Sequence, residues 1–320
     1  MLIYAIRRLN LFIITLLILT MIGYNIVKLD PLSVYNQHEY WVGWLQYLRE
    51  LIHGNLGVAT NGEPVTESLA RVFPATLELC FFAFLVALML GIPFGTLAGI
   101  RRGSSTDVMI SSITLLTFSM PIFWMALLMI MVFSLYLGWL PVSGRHNLLF
   151  EIPTITGFAF VDVLLSHHPQ RSQALEDIVR HLIMPTLVLA VAPTTEIIKL
   201  LRDSVGEVMN QNYIKAAATK GLSKSEIVMR HVIKNALPPI IPKFGIQIST
   251  MMTFAIITES VFNWPGIGTW LLDALSFQDY VAVQAGVLVV GSVVLLANIF
   301  SDLAGAAISP LARKEWYALK

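Results

Sequence analysis

Apolar residues run almost unbroken in six stretches of this chain of 320 residues, at 9–27, 76–100, 108–137, 181–200, 241–262 and 282–304. About 20 such residues are what an α-helix needs to cross a hydrocarbon core. Backbone in lipid must satisfy its own hydrogen bonds, so runs of this kind fold as helices. Composition points the same way, because only 13% of the residues are charged, against about 25% in a soluble domain. Mean hydropathy is +0.72. The sequence therefore predicts an all-α integral membrane protein with six transmembrane helices. Pro121 predicts a kink or break in the third run, and Pro185 and Pro193 interrupt the fourth.

Arg7 and Arg8 ahead of the first run resemble the basic region of a signal peptide. No small-x-small cleavage site follows and the run is long enough to span, so it reads as an uncleaved first helix. Six spans place both termini on one side. Putting that side in the cytoplasm leaves only Lys28, Arg49, Arg71, Arg145, Arg171 and Arg180 of the 21 basic residues outside, which is the asymmetry the positive-inside rule describes. A net charge of +1 gives no reason to expect nucleic acid. The single cysteine, Cys80, allows no internal disulfide or thiolate cluster and reads as a small buried apolar residue. His167 and His168 are adjacent and point apart on any regular element, so no metal site is expected there.

In the first outer segment, residues 28–75, Trp41, Trp44, Leu45, Leu48, Leu51 and Ile52 recur at helical spacing. Tryptophan prefers the membrane interface, so this stripe predicts an interfacial helix, with contact to an external protein as the sharper alternative. Glu78, Glu196, Lys199, Glu259 and Asp302 lie in or at the edges of apolar runs. A charge at mid-bilayer costs on the order of 3 kcal/mol on insertion scales, so such groups pair, sit at an interface or face an aqueous path. Glu196 and Lys199 are spaced for pairing on one helix face. A proline at membrane depth frees backbone carbonyls, which makes Ser119, Pro121 and Trp124 candidates for a pathway or gate, with a plain packing kink as the alternative.

The most informative stretch lies between the fourth and fifth runs. Lys215-Ala-Ala-Ala218 is a good helix former, Gly221 a helix terminator, and Ser223 with Glu226 a capping box. Two short helices joined at a glycine follow, with Ala217 and Gly221 read as a small face open to another protein's backbone. The stretch resembles the Glu-Ala-Ala loop of ABC importer permeases, with Lys215-Ala216-Ala217 and Gly221 in the motif positions. Lys215 replaces the motif glutamate and Leu237-Pro238 comes late, both usual in the oligopeptide/dipeptide/nickel subfamily. Gly91-Ile-Pro-Phe-Gly95, Ser119-Met-Pro-Ile-Phe-Trp124, Leu137-Gly-Trp-Leu-Pro-Val-Ser-Gly-Arg145 and Glu259-Ser-Val-Phe-Asn-Trp-Pro-Gly-Ile-Gly268 extend the resemblance over nearly the whole chain. Ala192-Pro-Thr-Thr-Glu196, Asn212-Tyr213 and Lys314-Glu-Trp-Tyr-Ala-Leu319 are similar to its Sap peptide-transport branch.

That resemblance implies a type I, MetI-like importer permease fold in the bacterial inner membrane. It divides the chain into a first helix with periplasmic segment (1–75), a core (76–310) with a cytoplasmic coupling loop (203–240), and a tail (311–320). Tyr213, Lys215, Ala216, Ala217, Ala218, Gly221, Leu222 and Ser223 would dock on an ATPase subunit. Glu196 and Glu259 join Ser119, Pro121 and Trp124 as pathway candidates. Implied partners are a second homologous permease, one or two ATPases that bind the ATP and Mg²⁺, and a periplasmic solute-binding protein. The implied cargo is peptides, including cationic antimicrobial peptides, with putrescine export as the alternative. The chain carries no Walker loop, no His-Glu-x-x-His and no Gly-x-Ser-x-Gly. An intramembrane enzyme and an ion-coupled carrier are accordingly disfavoured, the carrier also because no paired repeat is evident.

Overall fold

Three glycines four residues apart, Gly91, Gly95 and Gly99, set the centre of the fold. In the computed structural model, which describes residues 2–31, 33–166 and 169–308, they lie on the third of thirteen helices. The helices are α1 (Leu2–Val27), α2 (Tyr40–Ile52), α3 (Val65–Ile100), α4 (Ser105–Ser119), α5 (Ile122–Met129), α6 (Ala159–Leu165) and α7 (Arg171–Met209). They continue as α8 (Asn212–Thr219), α9 (Lys224–Ile227), α10 (Ile233–Ala236), α11 (Phe244–Phe262), α12 (Ile267–Ser276) and α13 (Tyr280–Ile308). No strand occurs among the described residues.

Each glycine of the triplet admits the backbone of α7. A methyl group at Gly95 would lie 2.8 Å from Leu201 Cβ, and one at Gly99 would lie 2.6 Å from Val205 Cβ. Small residues at this spacing let helices approach closely where lipid supplies no hydrophobic drive for association. Gly91 meets Ile197 in the same way, so the partner numbers rise together and α3 and α7 run parallel. The chain must therefore cross back between them. It does so through α4 and α5, which are bent by 97° at residues 120–121.

Contacts at the two extremes show that this broken pair traverses the bundle. Asp107 on α4 binds Arg202 near the last turns of α7, whereas the Trp139 carbonyl accepts from Arg180 near its start. Five helices are long and apolar enough to cross a membrane, and the bent pair makes a sixth. A π-helical stretch, Ile130–Tyr136, extends α5. Pro121 thus breaks the third span outright rather than kinking it, since Met120 and Pro121 both adopt extended ψ angles of 131° and 133°.

α1 and α13 run antiparallel, with Leu19 packed on Gly291 and Arg8 paired to Asp302 at 3.0 Å. α11 lies beside α13, its Gly245 against Asn298. One end of the bundle, called here the basic end, carries Arg8, Arg101, Arg102, Arg202 and the α8–α10 segment. The largest core cluster joins α3, α6, α7, α11 and Trp264 towards the opposite end, with Cys80 buried in it beside Met252.

Several expectations change in detail. α3 begins at Val65, so a boundary at residue 75 cuts through a continuous helix. The predicted stripe on α2 is split. Trp44, Leu48 and Leu51 are half-buried, but Trp41, Leu45 and Ile52 are exposed, and the buried positions are Gly43 and Tyr47. Tyr47 joins Tyr24, Tyr35 and Leu288 in an aromatic cluster that seats α2 on α1 and α13. Aromatic rings pack edge to face here, which hydropathy spacing alone did not reveal. His167, His168, Arg313 and the 311–320 tail lie outside the described residues.

Candidate functional site

At the basic end, α7 leaves the bundle and the chain folds back through α8, a glycine bend and α9. Ile214 and Ala217 on α8 are buried with Ile227, Val232, Leu201 and Val205. Ala217 therefore faces the protein's own core, at 8% exposure, and not an incoming partner as its spacing from Gly221 suggested. The outward surface is made instead by Tyr213, Lys215, Ala216, Ala218, Lys220, Gly221 and Ser223, all exposed, with Leu222 half-buried behind them.

Gly221 has φ of +82°, a conformation that costs a side-chain-bearing residue strain, and nothing lies within 4 Å of where its Cβ would stand. The bend is an open left-handed turn. Ser223 then starts α9 with the predicted capping box: its hydroxyl accepts from the Glu226 backbone N–H, and its own N–H donates to the Glu226 carboxylate at 3.1 Å. The Ser223 backbone N–H, then its hydroxyl, hold the Glu226 carboxyl below the usual carboxylate range. Ser204 on α7 donates to the Ala236 carbonyl at 2.8 Å, tying α10 back to the span. The excursion is thus tied to α7 through Ser204 and through its buried face, while the turn at Gly221 stays open.

At the broken span, Ser119 and Pro121 line a cavity of about 250 Å³ with Met125, Val188, Ala192 and Phe254. Ser119 spends its hydroxyl on the Leu115 carbonyl, four residues back. Trp124 lies beyond the cavity and is exposed. A second, larger cavity of about 410 Å³ opens between α3, α4, α5 and α7, with Phe94, Met109, Thr117, Met129 and Thr194 among its walls. Glu196 is half-buried and does not line it, and no ion pair joins it to Lys199 among the described residues, so the pairing that their spacing allows does not form.

At the opposite end, two carboxylates that the sequence placed near span ends are tied into the protein. Glu78 on α3 is 3% exposed and receives Arg145 through Nε at 2.9 Å and an Nη at 2.6 Å, with the Phe160 N–H at 2.8 Å. Glu259 on α11 is fully buried and accepts from Thr76 Oγ1, the Gly268 N–H at 2.7 Å and the Thr269 N–H at 3.2 Å. Trp264 donates its indole N–H to the Ala75 carbonyl at 3.0 Å. Glu259 therefore braces the 263–266 turn and the start of α12, with both carboxylate oxygens engaged by donors.

Sequence reasoning flagged Glu78 and Glu259 but not their partners. Arg145 and Thr76 are separated from them by 67 and 183 residues, and no local spacing encodes such a pairing. It also missed Asp107, which takes Arg202 Nε at 2.6 Å and Nη2 at 2.9 Å.

Residues 91–314 match the family described as binding-protein-dependent transport system inner membrane component. The chain is 50% identical, over the full length of both, to the peptide transport system permease protein SapB of Salmonella typhimurium. It is 51% identical, again over full lengths, to the putrescine export system permease protein SapB of Escherichia coli K12. It is 42% identical to the di/tripeptide transport system permease protein DppB of Pseudomonas aeruginosa, covering 85% of this chain and 80% of that one. Among solved structures, the MetNI methionine ABC transporter in an inward-facing conformation superposes with a TM-score of 0.59 at 17% identity, over 77% of this chain and 99% of that one.

Proposed function

The chain belongs to the family of binding-protein-dependent transport system inner membrane components, and from that premise we propose that it is the permease subunit through which an ABC transporter moves peptides across the inner membrane. One observation carries the mechanism. The α8–Gly221–α9 excursion presents small and basic residues outward while Ile214, Ala217 and Ile227 root it in the α3–α7 core. A push on this segment is delivered directly to the closely packed, parallel α3–α7 pair.

In this reading the basic end is cytoplasmic, and an ATPase subunit that binds ATP and Mg²⁺ receives residues 213–223. A second permease subunit completes the pathway, because one bundle of six spans offers only one wall of it. A solute-binding protein delivers cargo at the outer face. Pathway contacts are proposed at the broken span, where Ser119 and Pro121 line a cavity, and at Trp124 and Glu196 outside that cavity's lining. Glu259 takes a bracing part, both of its carboxylate oxygens being engaged by donors. Peptide cargo rests on the peptide-transport names of relatives in both the SapB and DppB groups. Putrescine export is the second reading, supported by one relative at 51% identity.

The test is ATP hydrolysis by the complete complex, two permeases with their ATPases, in nanodiscs. Peptide with its binding protein is expected to stimulate hydrolysis severalfold, and Gly221→Pro to abolish the stimulation. Equal hydrolysis with and without this chain would reject the permease role.

A further inference from the structure

Beyond the exposed Glu207, the surface of the coupling excursion is predominantly basic. Between residues 208 and 243 the chain holds Lys215, Lys220, Lys224, Arg230, Lys234 and Lys243, and a single acid, Glu226. That acid is already engaged by its own Ser223 in the capping box. Lys215, Lys220 and Lys224 are exposed, and none lies within salt-bridge distance of a carboxylate among the described residues. Burial of Ile214, Ala217 and Ile227 fixes which way the segment faces, so these three lysines flank the open glycine turn as a ridge.

Two surfaces of opposite charge are available to such a ridge, a protein groove lined with carboxylates and the anionic headgroups of the inner leaflet. A helix that lies on a membrane turns a bulky apolar face towards it. Here Ile214, Leu222 and Ile227 turn into the protein and Ala216, Ala218, Gly221 and Ser223 face out, with Tyr213 and Met229 the only exposed large apolar side chains between residues 213 and 229. Small exposed residues between lysines suit close approach of another backbone. We propose that Lys215, Lys220 and Lys224 form a cationic recognition ridge for a carboxylate-lined groove on the ATPase subunit, and that this charge match selects which ATPase the permease accepts. The inference rests on the docking role proposed above and adds the chemistry of the partner surface. Charges at the rim of an interface act mainly through association rate and salt dependence, which makes the ridge a selectivity filter more than a source of raw affinity.

The experiment measures binding of the purified cognate ATPase to the assembled permease pair, in nanodiscs with and without anionic lipid, between about 50 and 300 mM salt. Lys215→Glu, Lys220→Glu and Lys224→Glu combined are expected to weaken binding about tenfold or more at low salt and to flatten its salt dependence. The corresponding Gln triple is expected to fall between, and acid-to-lysine changes in the ATPase groove to restore the Glu triple. Unchanged folding is checked by the yield of the permease pair. Wild-type binding by the Glu triple, with Gly221→Pro still abolishing binding, overturns the ridge and leaves the docking role standing. Binding insensitive to both sets of changes overturns the docking role as well. A loss confined to nanodiscs containing anionic lipid assigns the lysines to the membrane and also overturns the ridge.

Discussion

Arg145 reaches over to α3 and clasps Glu78, its Nη 2.6 Å from the carboxylate, with the guanidinium 6.0 Å from the Trp264 ring centroid. Both side chains are nearly out of solvent, at 11% and 2% exposure. Arg145 also donates to the Gly157 carbonyl at 2.8 Å. One ion pair thus fastens the 141–160 segment to α3 beside the turn that Glu259 braces.

Removing one member of this pair leaves a buried charge without a partner, a change that costs about 3–5 kcal/mol in proteins. Arg145→Met is expected to lower the thermal unfolding temperature of the detergent-solubilised complex sharply. Arg145→Met combined with Glu78→Leu is expected to recover part of that loss, because the orphan charge is gone. An equal or larger loss in the double variant would show that the pair is worth more than its burial.

The Glu259 brace makes a similar prediction by a different route. A methyl group at Gly266 would strike the Glu259 carboxylate. Gly266→Ala is expected to reduce the amount of folded protein in the membrane as severely as Glu259→Ala does. Fluorescence-detected size exclusion of both variants checks it, and a well-folded Gly266→Ala protein would contradict the packing described.

Along α3, Gly99→Val puts a branched side chain where even one methyl group lies 2.6 Å from Val205 Cβ. Overpacking of this kind costs about 1–3 kcal/mol or more, and the shift would propagate along the α3–α7 pair to α8. The expected outcome is a complex that assembles poorly and hydrolyses ATP without responding to cargo. Normal cargo-stimulated hydrolysis would mean that α3 and α7 separate more easily than their contact implies.

Gly221 separates two effects. Gly221→Asn keeps a residue that tolerates positive φ, whereas Gly221→Val does not. Transport is expected to be reduced in the first and lost in the second, while Gly221→Asp is expected to abolish it by adding a charge of the wrong sign beside Lys220. Wild-type transport with an unchanged complex in the Asp variant would remove residues 213–223 from the docking role.

The spans and the two short helices α8 and α9 were legible because their signals are local. Apolar run length gives the first, and Lys215-Ala-Ala-Ala218, Gly221 and the Ser223–Glu226 capping box give the second. What stayed hidden depends on residues distant in sequence. Ala217 faces inward because Ile227 and Val232 fold over it, a fact that spacing from Gly221 alone misreads. Asp107 is an ordinary first-turn acid until Arg202, 95 residues on, closes over it. Trp41 and Trp44 share a predicted stripe but part company once the tyrosine cluster rotates α2.

The most direct test of the account is transport itself. The complete assembly, reconstituted in liposomes with labelled cationic peptide or labelled putrescine on either side, reports both cargo and direction. ATP-dependent movement of peptide towards the ATPase side, lost when this chain carries Gly221→Asp, is the result predicted. Movement of putrescine away from that side with no peptide transport would contradict the peptide reading, and no ATP-dependent movement of either would contradict the account as a whole.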